Sequence, residues 1–110
     1  MNRIAMSAAA SGLLRALIAR AGLMVNSILL TDIRSTDWQS LTFVGERHQL
    51  ELRITGPDAM AAARRLCDGL EEAEFQIPRQ IVADIAVVGE LRSSQDGSVS
   101  VKIEALTVEE

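Results

Sequence analysis

A chain of 110 residues, 48% apolar and 24% charged, with a net charge of −4, has the size and make-up of one folded domain with a real core. A single cysteine excludes an internal disulfide framework, and uninterrupted apolar runs far shorter than about 20 residues exclude a membrane-spanning helix. The acidic balance and only three aromatic residues argue against nucleic-acid binding, which needs a basic footprint and stacking platforms.

Charge is unevenly spread. Residues 1–31 hold Arg3, Arg15 and Arg20 and no acid, so they carry +3, leaving −7 for the rest of a chain whose total is −4. An acid-free start rich in Ala, Ser and Arg imitates a targeting peptide, but Arg15 interrupts the apolar stretch that a signal core requires. Between Ser7 and Ala21, Leu13, Leu14, Leu17, Ile18 and Ala21 recur at three- and four-residue spacing, which predicts a first helix closed by Gly22. Residues 1–22 also stand as a candidate separable arm of an otherwise single domain spanning 1–110.

Met24 to Arg34 turns β-rich through Val25, Ile28, Leu29, Leu30 and Ile33, which predicts a first strand. Ser35-Thr36-Asp37 then reads as a turn, Leu41 to Val44 as a second strand, and Gly45-Glu46-Arg47 as a hairpin tip or bulge. From His48 to Thr55, Leu50, Leu52 and Ile54 alternate with Gln49, Glu51 and Arg53, the pattern of a strand with one buried and one solvated face. Gly56-Pro57-Asp58 opens a second helix whose stripe is Met60, Ala63, Leu66, Cys67 and Leu70. After Pro78, Gln80 to Leu91 predicts a long fourth strand with Ile81, Ala83, Ile85, Val87 and Leu91 on one face. The Asp96-Gly97 pair predicts a hairpin into a last strand carrying Val99, Val101, Ile103 and Ala105.

These elements give an α+β domain in the order αβββαββ. It is a single, mainly antiparallel sheet of about five strands with two helices on one face, and a ferredoxin-like sandwich is the nearest common architecture. Such a layout serves many functions, so function must be argued from side chains.

Candidate site residues are few. Asp32, Arg34, Asp37, Trp38, Glu46, Arg47 and His48 concentrate polar and aromatic groups on two neighbouring connections and form the candidate ligand-binding set. His48 near Glu46 has the elements of a general base, yet adjacent strand positions point to opposite faces, and no catalytic residue is assigned. Asp32 with Asp37 does not supply the six or so convergent oxygens a hard cation wants, and no metal or cofactor is expected. Cys67 lacks a Cys-Xaa-Xaa-Cys partner and reads as core, suiting a reducing, cytoplasmic compartment. Arg3, Arg15, Arg20, Arg64, Arg65 and Arg79 read as a dispersed, solvated set.

The reading is therefore a non-catalytic interaction module that self-associates as a homodimer or docks another protein. It has no nucleic-acid partner, and membrane-surface contact is not expected. Its motivation is surplus apolar surface: Val82, Ala86 and Val88 on the back of the fourth strand, extended by Leu106 and Val108. The alternative is a small-ligand-binding protein or minor enzyme with a pocket near Trp38 and His48.

Overall fold

The computed structural model describes residues 6–22 and 27–110. Two helices pack on one face of a five-stranded antiparallel sheet. Helix α1 (Ala8–Ala21) starts where Ser7 accepts the Ala10 amide at 3.1 Å and stops where Gly22 turns left-handed at φ 73°. Both ends thus follow from capping residues that the sequence shows directly. Its Leu13, Leu17 and Ala21 are fully buried, with Leu14 and Ile18 packed at the margin of the same core.

Strand β1 (Ile28–Gln39) and strand β2 (Val44–Ile54) form one long hairpin, in register from Ile28 against Ile54 to Gln39 against Val44. Two strands thus precede the second helix where three were expected. Ser35-Thr36-Asp37 is strand, Leu41 to Phe43 is the turn, and Gly45 to Arg47 is strand again. The reason is Ser40, whose hydroxyl accepts the Phe43 amide at 3.0 Å and the Thr42 amide at 3.3 Å, while its own amide bonds the Phe43 carbonyl. One serine therefore satisfies a turn made of residues with no turn propensity of their own. The residues Met24 to Asn26 of the expected first strand lie outside those described.

Helix α2 (Ala59–Cys67) follows the Gly56-Pro57-Asp58 junction and buries Ala59, Ala62, Ala63 and Leu66. A 3₁₀ turn, Leu70–Glu72, then adds Leu70 to the core. The helices hold each other by exchanged arginines. Arg20 of α1 donates to the Leu66 carbonyl at 2.9 Å and to that of Asp68, and Arg65 of α2 donates to the Ala21 carbonyl at 3.2 Å. Each cation thus satisfies carbonyls at the other helix's C-terminus, where the helix dipole favours positive charge. Arg20 and Arg65 accordingly have structural work, unlike the dispersed set expected.

The expected fourth strand is divided. Strand β3 (Gln80–Val87) pairs with the far half of strand β5 (Val99–Glu109), and the two-residue strand β4 (Arg92–Ser93) pairs with its near end, beside the Asp96-Gly97 turn. Between them Gly89 sits at φ 70°, which ends the run at Val87. A bulge at Ala83 changes the parity: Val82 faces the helices with Ile85 and Val87, and Ile81 faces away with Asp84 and Ala86. The expected common face of Ile81, Ala83 and Ile85 is thereby broken.

The sheet order is β1-β2-β5-β3, with every neighbouring pair antiparallel. It shares with a ferredoxin-like sandwich the layering of helices on one face and one split βαβ unit, since β2 and β3 run parallel, are joined through α2 and have β5 between them, but α1 precedes the first strand and no second such unit is formed among the described residues. The two central strands pair from Gly45 against Val108 to Ile54 against Val99. Leu50, Leu52 and Ile54 of one and Val99, Val101, Ile103 and Ala105 of the other line up under the helices. Leu106 and Val108 on the opposite face are buried as well, so they add nothing to an outward apolar surface.

Gly45 is the tightest point of this pairing. A Cβ there would lie 2.0 Å from the Thr107 carbonyl oxygen and 2.9 Å from Val108 Cα, both backbone atoms of the central strand. Gly45→Ala must push β2 off β5, so it is expected to cost about 1–3 kcal/mol in urea unfolding. Gly97→Ala, where no atom lies within 4 Å, tests left-handed strain without crowding. Equal unfolding midpoints for Gly45→Ala and the parent protein would contradict the close approach.

Candidate functional site

The hairpin register sorts the seven candidate residues onto two faces. Asp37 lies opposite Glu46 and Ser35 opposite His48, so Asp37, Glu46 and His48 share the helix-side face. Asp32, Arg34, Trp38 and Arg47 alternate onto the other face, with Trp38 opposite Gly45 and Thr36 opposite Arg47. Asp32 and Arg34 come within 3.9 Å of each other, both well exposed, a spacing that contributes little in water. The structure therefore brings Asp37, Glu46 and His48 together, and places Trp38 on the reverse side of the sheet from His48.

His48 is fully buried, and both ring nitrogens are engaged. Nδ1 lies 2.7 Å from the Ser35 hydroxyl and Nε2 lies 2.8 Å from the Thr107 hydroxyl. Burial pushes the imidazole below its ordinary value of 6.5, against a smaller opposing pull from Glu46. The ring is thus neutral near pH 7, donating from one nitrogen and accepting at the other, with hydroxyls that supply either role. This hydroxyl–imidazole–hydroxyl bridge crosses three adjacent strands, β1, β2 and β5. Thr107 stands on the far side of the ring from Ser35, so the two bonds tie the three strands together.

Ser35 and Thr107 are the partners that reading the sequence missed. The sequence reads Ser35 as part of a turn, whereas it lies within β1. Thr107 shares the parity of Ala105 and Val101 on β5, so its place beside His48 follows once the β2–β5 register is known.

A second polar cluster shapes the last hairpin. Asp96 accepts the Ser98 hydroxyl at 2.7 Å and its amide at 2.9 Å, and Arg53 reaches both Asp96 and the Ser98 hydroxyl. The Ser98 bonds, with Arg53 beside them, hold the Asp96 carboxyl below its usual range. Among the described residues, no three His, Cys, Asp or Glu side chains gather as a metal-binding group.

Three exposed apolar residues gather at the β1–β2 hairpin end, with Met6, Leu29 and Val88 exposed elsewhere. Leu41 is entirely exposed, and Phe43 and Val44 are 47% and 50% exposed. Behind this tip a row crosses the reverse face of the sheet in register: Trp38, Gly45, Val108 and Ile81, the last 46% exposed on strand β3. Beside Ile81 an open groove of about 750 Å³ runs between residues 73–80 and β3, with Phe75, Ile77, Pro78 and Val82 among its walls. A smaller groove of about 230 Å³ on the reverse face is lined mainly by charged and polar groups, including Asp32, Arg34, Glu51 and Lys102.

No family model and no curated protein matches the chain. The fold is similar to a chain in the solved structure "Virion of native gene transfer agent (GTA) particle", at 13% identity and a TM-score of 0.49, over 84% of each chain.

The buried neutral His48 predicts a pH dependence. Its folded pKa lies below the unfolded 6.5, so as pH falls through about 6.5 the unfolded chain takes up a proton that the folded chain refuses. Its contribution to stability is present above that pH and declines below it, by at most about 1.4 kcal/mol per pH unit until the folded pKa is reached. Urea unfolding at pH 7.5 and 5.5 is expected to show a steeper loss for the parent protein than for His48→Gln. Parallel losses would show that His48 is not held neutral.

Proposed function

We propose that this chain is a non-catalytic interaction module that assembles with further copies of itself through the projecting end of its β1–β2 hairpin. The observation that carries this reading is the exposure of Leu41, Phe43 and Val44 together at one tip. Nothing in the fold requires apolar residues there, since the turn is closed by Ser40. Removing such side chains from water is favourable by roughly 25 cal/mol per Å², and aromatic or aliphatic anchors of this kind dominate the energetics of protein interfaces.

The edges of the sheet support the tip over strand-to-strand addition. Both edge strands carry a bulge, at Thr31 in β1 and at Ala83 in β3, and bulges twist an edge away from pairing with another chain. The Thr31 hydroxyl is itself turned back onto the Glu51 carbonyl at 3.1 Å. His48, sealed between Ser35 and Thr107, is occupied in holding the sheet. The free thiol of Cys67 suits assembly in the cytoplasm. Among the described residues no helix is long and apolar enough to cross a membrane.

Multi-angle light scattering across a concentration series tests the reading. The full chain is expected to have a mass above one protomer that rises with concentration, and the double variant Leu41→Ser, Phe43→Ser is expected to be monomeric with unchanged thermal stability. A parent protein that stays monomeric at every concentration would overturn it.

A further inference from the structure

We infer that two copies of the chain close as a twofold dimer in which the tip ends of their sheets overlap, reverse face on reverse face, with the axis running along the row Trp38, Gly45, Val108, Ile81. This deepens the proposed self-association and rests on it. Leu41 with the exposed parts of Phe43 and Val44 offers on the order of 400 Å², about half of what a specific interface takes from each partner. The tip therefore needs adjoining surface to make a stable pair, and the reverse face begins directly behind it at Trp38 and Gly45.

The reverse face changes character along the strands. At the tip end it carries Trp38 and Ile81 on the two edge strands, with Val108 and Leu106 buried on β5. Two rows further in, Arg34, Gln49 and Glu104 lie side by side, followed by Asp32, Glu51 and Lys102. Taking these charges out of water is costly, so the surface that favours contact ends where they begin. A twofold across the strands at the Trp38 row puts apolar end on apolar end and leaves both charged ends in solvent. A twofold along the strands would bury Asp32, Arg34, Glu51 and Glu104 with the rest. Gly45 carries no side chain beside Trp38, which leaves room for the two indoles to meet at the axis.

Charge fits this face to a second copy of itself. On β3, Asp84 stands one row inward from Ile81, past the bulge, and Arg79 stands outward of it, where its carbonyl accepts the Glu110 amide at 3.0 Å. Rotation about the Ile81 row exchanges the two positions, so Arg79 of each copy meets Asp84 of the other, twice in one dimer. Both residues are exposed, and among the described residues neither forms an ion pair. On β2 the same rotation about Gly45 carries Phe43 of one copy to Arg47 of the other, an exposed ring to a guanidinium. Glu110 is carried to Leu106, beside that same Arg47. Each charged group next to the axis row thus finds an opposite charge on the other copy.

Trp38 is the one tryptophan and the chain has no tyrosine, so indole emission reports this contact alone. Light scattering and emission are followed together across a concentration series. The parent protein is expected to level off at two copies, with its emission maximum moving to shorter wavelength as the dimer forms. Arg79→Glu and Asp84→Arg, both at exposed positions, are each expected to weaken association about tenfold or more, because each sets like charges together twice. Their equimolar mixture pairs opposite charges at both places and is expected to recover the parent affinity as a mixed dimer, which a folding defect in either variant would not allow. Single variants that keep the parent mass, a mixture no tighter than its components, a parent mass beyond two copies, or an emission maximum unmoved by concentration would each overturn the twofold contact while leaving association through the tip standing. A monomeric parent protein would remove both.

Discussion

Everything in this molecule is placed by the pairing of β2 with β5. Their continuous antiparallel register, from Gly45 against Val108 to Ile54 against Val99, aligns one parity of apolar side chains beneath the helices. A slip of one residue would turn Leu50, Leu52 and Ile54 to the opposite face and expose the core. Two independent devices hold the register. Gly45 permits a backbone approach that no other residue allows, and His48 bridges Ser35 and Thr107 across three strands. The polar bridge also imposes specificity, because a shifted strand would leave a buried imidazole without partners.

From that register follows the division of the surface. One face of the sheet is covered by α1 and α2, which lock to each other through Arg20 and Arg65. At one end the β1–β2 hairpin runs on to an apolar tip. The same pairing fixes where Ile81 stands relative to Trp38 on the reverse face. Exposure of the tip is thus a consequence of strand length and register, and both edge strands carry bulges.

Much of this was legible from the sequence, and the failures have physical causes. Ser7, Gly22 and the leucine spacing between them state the first helix completely, because caps and periodicity are local signals. The strict alternation around Leu50, Leu52 and Ile54 and the Asp96-Gly97 turn did the same for the central strand and last hairpin. Between Ser35 and Val44 local composition misled, since polar residues at an edge strand and apolar residues in a turn both run against propensity, and the decisive Ser40 bonds depend on closure. The bulge at Ala83 likewise reversed a parity that alternation alone could not reveal. For the candidate site, His48 stood out as the one histidine, but its partners Ser35 and Thr107 come from strands whose register is a tertiary fact. Leu41 and Phe43 read as strand and instead form the exposed turn.

Hydrogen exchange at low and high protein concentration measures the central claim most directly. At both concentrations the slowest amides are expected in residues 48–54 and 99–105. Raising the concentration is expected to slow exchange at residues 41–44 and to leave the helices unchanged. New protection confined to α1, or slower exchange in β1 than in β2 and β5, would contradict an account in which the β2–β5 register holds the fold and presents the hairpin tip.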